Sequence, residues 1–157
     1  MRAKTDVLQA IRRHGAEAYP EEGCGFLLGR MDGDGTQQVT RIHRAGNERA
    51  ENRERRFTLS PEAYRAADAA ADAHGLDVVG FYHSHPDHPA RPSETDLAEA
   101  PFPGYAYVIV SVQDGRPADL TAWTLAPDRS QFHQAEVASL SETASSPRQE
   151  DVLRAET

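Results

Sequence analysis

Apolar residues recur three and four apart near the start of the chain, at Val7, Leu8 and Ile11 in "TDVLQAIRRHGAEA". That spacing predicts an amphipathic helix over residues 5–18, capped by Thr5 or Asp6 and ended by Pro20. The pattern then changes period. "CGFLLGRM" and "QQVTRIHRA" flank "DGDG", which predicts a hairpin, because Asp and Gly tolerate the positive φ of a tight turn. "NERAENRERR" has no periodicity and reads as a polar loop. In "FTLSPEAYRAADAAADAHG" Ser60 caps an alanine-rich helix, Pro61 takes its first position and Gly75 stops it.

The second half opens on "DVVGFYHSH", an apolar, β-branched and aromatic run with the pattern of a strand buried on both faces. A proline-rich loop follows. "SETDLAEA" predicts a short helix opened by Ser93 and ended by Pro101, and "YAYVIVSV", "QDGR" and "ADLTAWTL" predict a second hairpin. Phe81, Tyr105, Tyr107 and Trp123 are expected in the core. From Pro127 the chain turns polar, and "SLSETASSPRQEDVLRAET" has too few large apolar residues to fold alone. The expected organisation is one domain over 1–130 and a polar, mobile or loosely docked tail over 131–157.

Length and charge narrow the picture. A chain of 157 residues suits one domain with one sizeable core. A formal net charge of −8 repels nucleic acid and anionic lipid, so neither is an expected partner. Cys24 is the only cysteine, which excludes an intrachain disulfide and a cysteine-rich zinc knuckle and fits a reducing cytoplasm. Burial, rather than reactivity, is expected of its thiol. The start of the chain lacks a signal-peptide pattern and the longest apolar run is too short to span a bilayer, so a soluble, cytoplasmic protein is expected.

Candidate chemistry concentrates in "GFYHSHPDHPARPSETD", residues 80–96. On a strand, side chains alternate faces, so His83 and His85 project together while Ser84 points away. Three prolines stiffen the loop that returns the chain to Ser93 and Asp96, which stand three apart on one helical face. Two imidazoles and one carboxylate around an open position form a known catalytic zinc set, and zinc there makes hydroxide available at neutral pH. Glu22, before "GCGFLLG", is a candidate general base, although Glu21 beside it serves equally on spacing alone. Ser93 can donate to a developing oxyanion, but it fits a helix cap as well, and spacing does not separate the two roles.

These residues resemble the signature of the JAMM (MPN-plus) metalloprotease family: a distant Glu, then H-[ST]-H-P, then S-x-x-D. Here it reads Glu22, "HSHP" at His83 to Pro86, Ser93 and Asp96, with no departure in spacing. The resemblance runs from about residue 5 to about residue 125 and includes "EEGCGFLLG" and "RRFTLSPEAY". It implies one Zn2+ per chain held by His83, His85 and Asp96, with Glu22 as general acid/base and Ser93 at the oxyanion. It also selects Glu22 over Glu21, because the family glutamate lies two positions before the Cys-Gly pair, here Cys24-Gly25. The fold it implies is an α/β sandwich of the JAMM/MPN, cytidine-deaminase-like type, a curved mixed sheet with helices on both sides. Short bacterial members of this kind imply a peptidase or isopeptidase that cuts after the C-terminal Gly-Gly of a ubiquitin-like or sulfur-carrier protein.

Other readings fit less of the sequence. The family also contains silent MPN-type binding modules that have lost the metal residues, whereas all five positions are present here. A zinc deaminase needs H-x-E and P-C-x-x-C, which a single cysteine excludes. His88 is expected to be exposed beside the cleft, and His14, His43, His74 and His133 carry no assigned role. Arg49, Arg53, Arg55 and Arg56 read as a solvated loop or as a rim that steers an acidic carrier protein.

Overall fold

A computed structural model describes residues 1–46 and 59–140. The basic stretch Arg49–Arg56 and residues 141–157 lie outside the described residues. Helix α1 (Thr5–Ala18) has the expected bounds and buries Val7, Ile11 and Gly15, a stripe spaced by four. Its N-cap is Lys4 and no side chain caps it, contrary to the expected Thr5 or Asp6; Asp6 instead lies in the first turn, where its charge suits the helix dipole. Helix α2 (Pro61–Ala73) starts as expected, with Ser60 Oγ accepting from the Ala63 N–H. It ends in a Schellman closure: Leu76 N–H returns to Ala71 C=O and Gly75 N–H to Asp72 C=O, around a Gly75 φ of +66°.

The strands are β1 (Arg2–Ala3), β2 (Cys24–Met31), β3 (Gln37–Ala45), β4 (Asp77–Pro86), β5 (Ala106–Gln113), β6 (Arg116–Leu125), β7 (Phe132–Ala135) and β8 (Ala138–Ser139). Among the described residues they form one mixed sheet in the order β7-β6-β5-β4-β2-β3-β1-β8. Both expected hairpins form, as the antiparallel pairs β2–β3 and β5–β6. Asp114 and Gly115 turn the second at φ of 52° and 81°, the positive values a two-residue hairpin turn demands. Strand β4 lies between β2, antiparallel, and β5, parallel. The sheet runs past the domain boundary expected at 130, because β7 pairs with β6 and β8 with β1. Phe132 and Val137 pack on the core and Leu140 is buried, apolar contacts enough to dock a segment that cannot fold alone.

The helices cover opposite faces. Val7 and Ile11 of α1 join Leu27, Val39, Tyr82, Val108 and Val110 in one core, and Ala67 and Ala71 of α2 join Phe26, Leu28, Phe81, Tyr107 and Leu125 in the other. Phe81 and Tyr107 are buried as expected, while Tyr105 and Trp123 are partly buried against the second core. Strand β4 feeds both cores, but its alternation slips. Leu27 pairs with Gly80 and Leu28 with Val78, so Val79 is a bulge residue without an opposite partner. Val79 therefore faces the α1 core while Phe81, two residues on, faces the α2 core. Gly80 permits the tight crossing: a Cβ there would sit 2.2 Å from the Ala106 carbonyl oxygen. No described helix is long and apolar enough to cross a membrane.

Candidate metal centre

The bulge in β4 sets the phase of everything after it. With Phe81 turned to the α2 face, His83 and His85 follow it there, and both are buried, at 6% and 7% exposure. Ser84 points to the opposite face, where its Oγ accepts from the Gly23 N–H at 2.8 Å. Neighbouring β5 and β6 then pin the loop beyond. Asp87 N–H donates to Val112 C=O at 2.7 Å, Ser111 Oγ to His88 C=O at 2.6 Å, and Thr121 Oγ to Ala90 C=O at 2.7 Å. His88 is exposed, as expected, and takes part through its backbone.

Helix α3 (Glu94–Glu99) is too short to be stable alone and is held at both ends. At its start Ser93 and Asp96 form a reciprocal capping box: Asp96 N–H donates to Ser93 Oγ at 3.0 Å and Ser93 N–H to Asp96 Oδ2 at 2.8 Å. Beyond its end the Arg129 guanidinium donates to the carbonyls of Ala100 and Pro101 at 2.8 and 2.9 Å. The cap reading of Ser93 is thus realised. Its hydroxyl accepts the backbone proton and still has its own to give.

The three expected ligands meet. His83 Nε2 and His85 Nε2 are 3.1 Å apart, Asp96 Oδ2 is 3.1 Å from His85 Nε2, and Asp96 Oδ1 is 3.3 Å from His83 Nε2. His85 Nδ1 donates to the Pro89 carbonyl at 2.8 Å, since a carbonyl can only accept, and this bond directs the other ring nitrogen inward. Burial pushes His83 towards its neutral form against the pull of Asp96. Burial also disfavours a charge on His85, but hydrogen bonds to Asp96 and Pro89 and the charges of Asp96 and Glu22 outweigh it and raise that pKa. Burial alone would raise Asp96 too; the two imidazoles and the Ser93 N–H beside it hold its carboxyl well below the usual range.

Two ring nitrogens this close cannot both present lone pairs without a proton or a cation between them. Among the described residues, His83, His85 and Asp96 form a group whose ligand atoms all lie within 4.8 Å of one another. Two neutral-capable imidazoles, one with a fixed tautomer, and an ionised carboxylate are the donor set that suits a divalent ion such as zinc.

Glu22 is buried, at 4% exposure, and lies close enough to bias the titration of His85. Cys24 pairs with His83 in the sheet, and Ser84 N–H donates to Gly23 C=O at 2.9 Å. Glu22 stands one residue before this Gly23–Ser84 contact. Glu21 is one residue out of phase and exposed. Cys24 is a buried thiol, as expected.

Beside His83 and Asp96 opens a cleft of about 300 Å³ walled by Leu59, Tyr64, Phe81, Tyr107, Ile109 and Phe132. The sequence reading gave Phe81 and Tyr107 a core role only. The spacing of Phe81, two residues before His83 on the same strand face, was the available signal for its second role.

A mixed sheet covered on both faces, with two histidines and an aspartate gathered at the end of one central strand beside a buried glutamate, defines a metallohydrolase-type centre. Known proteins agree with that class. Residues 4–126 match the family of prokaryotic homologs of the JAB domain, and the chain belongs to that family. It is a hydrolase of the JAMM peptidase class, with the fold of JAB1/MPN domains. It is 40% identical to the desampylase of Haloferax volcanii over 114 residues, 73% of this chain and 78% of that protein. It is 31% identical to the CysO-cysteine peptidase of Mycobacterium tuberculosis over 126 residues, 78% of this chain and 80% of that one. A solution structure of a protein from Salinibacter ruber is 62% identical, with a TM-score of 0.74 over 91% of this chain and 94% of that one.

Proposed function

We propose that the protein is a zinc-dependent peptidase or isopeptidase that hydrolyses the bond after the C-terminal Gly-Gly of a ubiquitin-like or sulfur-carrier protein. The convergence of His83, His85 and Asp96 at hydrogen-bonding distances carries this reading. His83, His85 and Asp96 would hold a zinc ion, which would supply Lewis acidity and make a water nucleophilic near neutral pH. Glu22, buried and near enough for its charge to act on His85, would take the proton shed by the attacking water and pass it to the departing nitrogen. Ser93 donates its hydroxyl proton to the carbonyl oxygen as negative charge develops there. Water adds across the C–N bond, releasing a glycine carboxylate and an amine.

Two peptidase relatives support the activity, and one of them, the CysO-cysteine peptidase, carries a protein–cysteine linkage in its name. A Gly-Gly terminus has the physical advantage of thinness, since a chain without side chains can lie extended beside a strand and reach a recessed centre. Against the silent-module reading, all five signature residues are present and the ligand atoms of His83, His85 and Asp96 lie within 4.8 Å of one another. The buried thiol of Cys24 suits the reducing cytoplasm, where we place the reaction.

The direct test is hydrolysis of a carrier protein ending in Gly-Gly joined to an amino acid. Turnover is expected to stop on removal of metal with a chelator and to return with added zinc. Turnover indifferent to chelation would contradict a metallopeptidase. Ser93→Ala separates cap from catalyst: we expect kcat to fall about 10²–10³-fold and stability to fall by about 1 kcal/mol. A loss of stability with kcat retained would leave Ser93 as a cap alone.

A further inference from the structure

The segment carrying Glu22 is tied to the segment carrying His85 at both ends, and only one of those ties belongs to the sheet. On the Gly23 side, Ser84 N–H donates to Gly23 C=O at 2.9 Å and Gly23 N–H to Ser84 Oγ at 2.8 Å. On the other side, the Tyr19 hydroxyl donates to Asp87 Oδ2 at 2.6 Å. Asp87 is itself fixed: its N–H donates to Val112 C=O at 2.7 Å, and its Oδ1 accepts from the Asp114 N–H at 2.7 Å. It sits at φ 58°, a left-handed conformation that Asp tolerates better than most residues. Tyr19 in turn closes α1, its N–H donating to Gly15 C=O at 3.2 Å. Gly15 packs so closely on Ser84, Val110 and Val112 that an added Cβ would lie 3.0–3.2 Å from them.

We propose that Tyr19 and Asp87 form a clamp that positions Glu22: the Tyr19–Asp87 hydrogen bond and the Gly23–Ser84 pair close a short ring of chain, with the buried Glu22 between them. The inference rests on the reading of Glu22 as the base. Neither clamp residue belongs to the group of ligand residues, so both act through Glu22. Proton transfer demands that Glu22 stay within hydrogen-bonding reach of its partner, and displacement by about 1 Å can cost up to about a hundredfold in rate.

Steady-state hydrolysis by the zinc-loaded enzyme tests this. Tyr19→Phe is expected to lower kcat roughly ten- to a hundredfold, with KM, zinc stoichiometry and Tm little changed. In a Glu22→Gln background, Tyr19→Phe should cost nothing further, because the group it positions is already gone. Asp87→Asn, which keeps an acceptor oxygen, should lose less than Asp87→Ala. Amide exchange in metal-free protein should quicken at residues 21–23 in Tyr19→Phe. Full activity of Tyr19→Phe beside a crippled Glu22→Gln overturns the clamp alone. An equal loss in both backgrounds, or unchanged exchange at residues 21–23, overturns it as well. Full activity of Glu22→Gln overturns the base assignment and the clamp with it.

Discussion

Glu22→Gln is expected to lower kcat by about 10²–10⁴-fold, the range that a positioned proton carrier contributes, while leaving one zinc per chain and an undisturbed fold. The substitution keeps volume and polarity and removes only the ability to take up a proton. Glu22 follows α1 and precedes β2, in a stretch whose neighbours on both sides are bonded to the β4 segment, so glutamine enters a preformed place. Metal content separates this outcome from loss of a ligand. Unchanged turnover would remove Glu22 from the chemistry and leave the proton transfer to another group.

Asp96→Ala is expected to abolish turnover and to reduce metal binding to background. Two functions meet on this carboxylate: it contacts both imidazoles, and through the Ser93 N–H it closes the cap of α3. Alanine therefore loosens the helix that carries Ser93 as well as the centre. Loss of the cap interaction is worth about 1 kcal/mol, which a urea titration would read as a lower midpoint with an unchanged slope. Asp96→Asn divides the two effects. It keeps an acceptor oxygen for Ser93 but lacks the negative charge, so most of the stability should return without the activity. Activity restored by asparagine would show that charge at this position is dispensable.

The sequence made much of this site readable because its parts obey short-range rules. The period of two on a strand joined His83 to His85, and the period of a helix joined Ser93 to Asp96; the structure brings His83, His85 and Asp96 within contact distance. Helix α2 was legible for similar reasons, since Ser60, Pro61 and Gly75 signal its ends locally. What escaped depends on residues distant in the chain. A strand apolar on both faces carries no mark of a bulge, so nothing in "DVVGFYHSH" announced the slip at Val79 that aims the histidines at α3. Strands β7 and β8 are short, and their pairing comes from sheet edges formed elsewhere. The Tyr19–Asp87 bond spans 68 residues and follows no pattern that periodicity can find.

The central claim is that His83, His85 and Asp96 together hold one divalent ion, and a calorimetric titration of metal-stripped protein with zinc addresses it most directly. The wild-type chain should take up one equivalent at a single site, and His83→Ala, titrated alongside, should show none. Failure of the wild-type protein to bind a stoichiometric ion, or the same one-equivalent curve from His83→Ala, would contradict it.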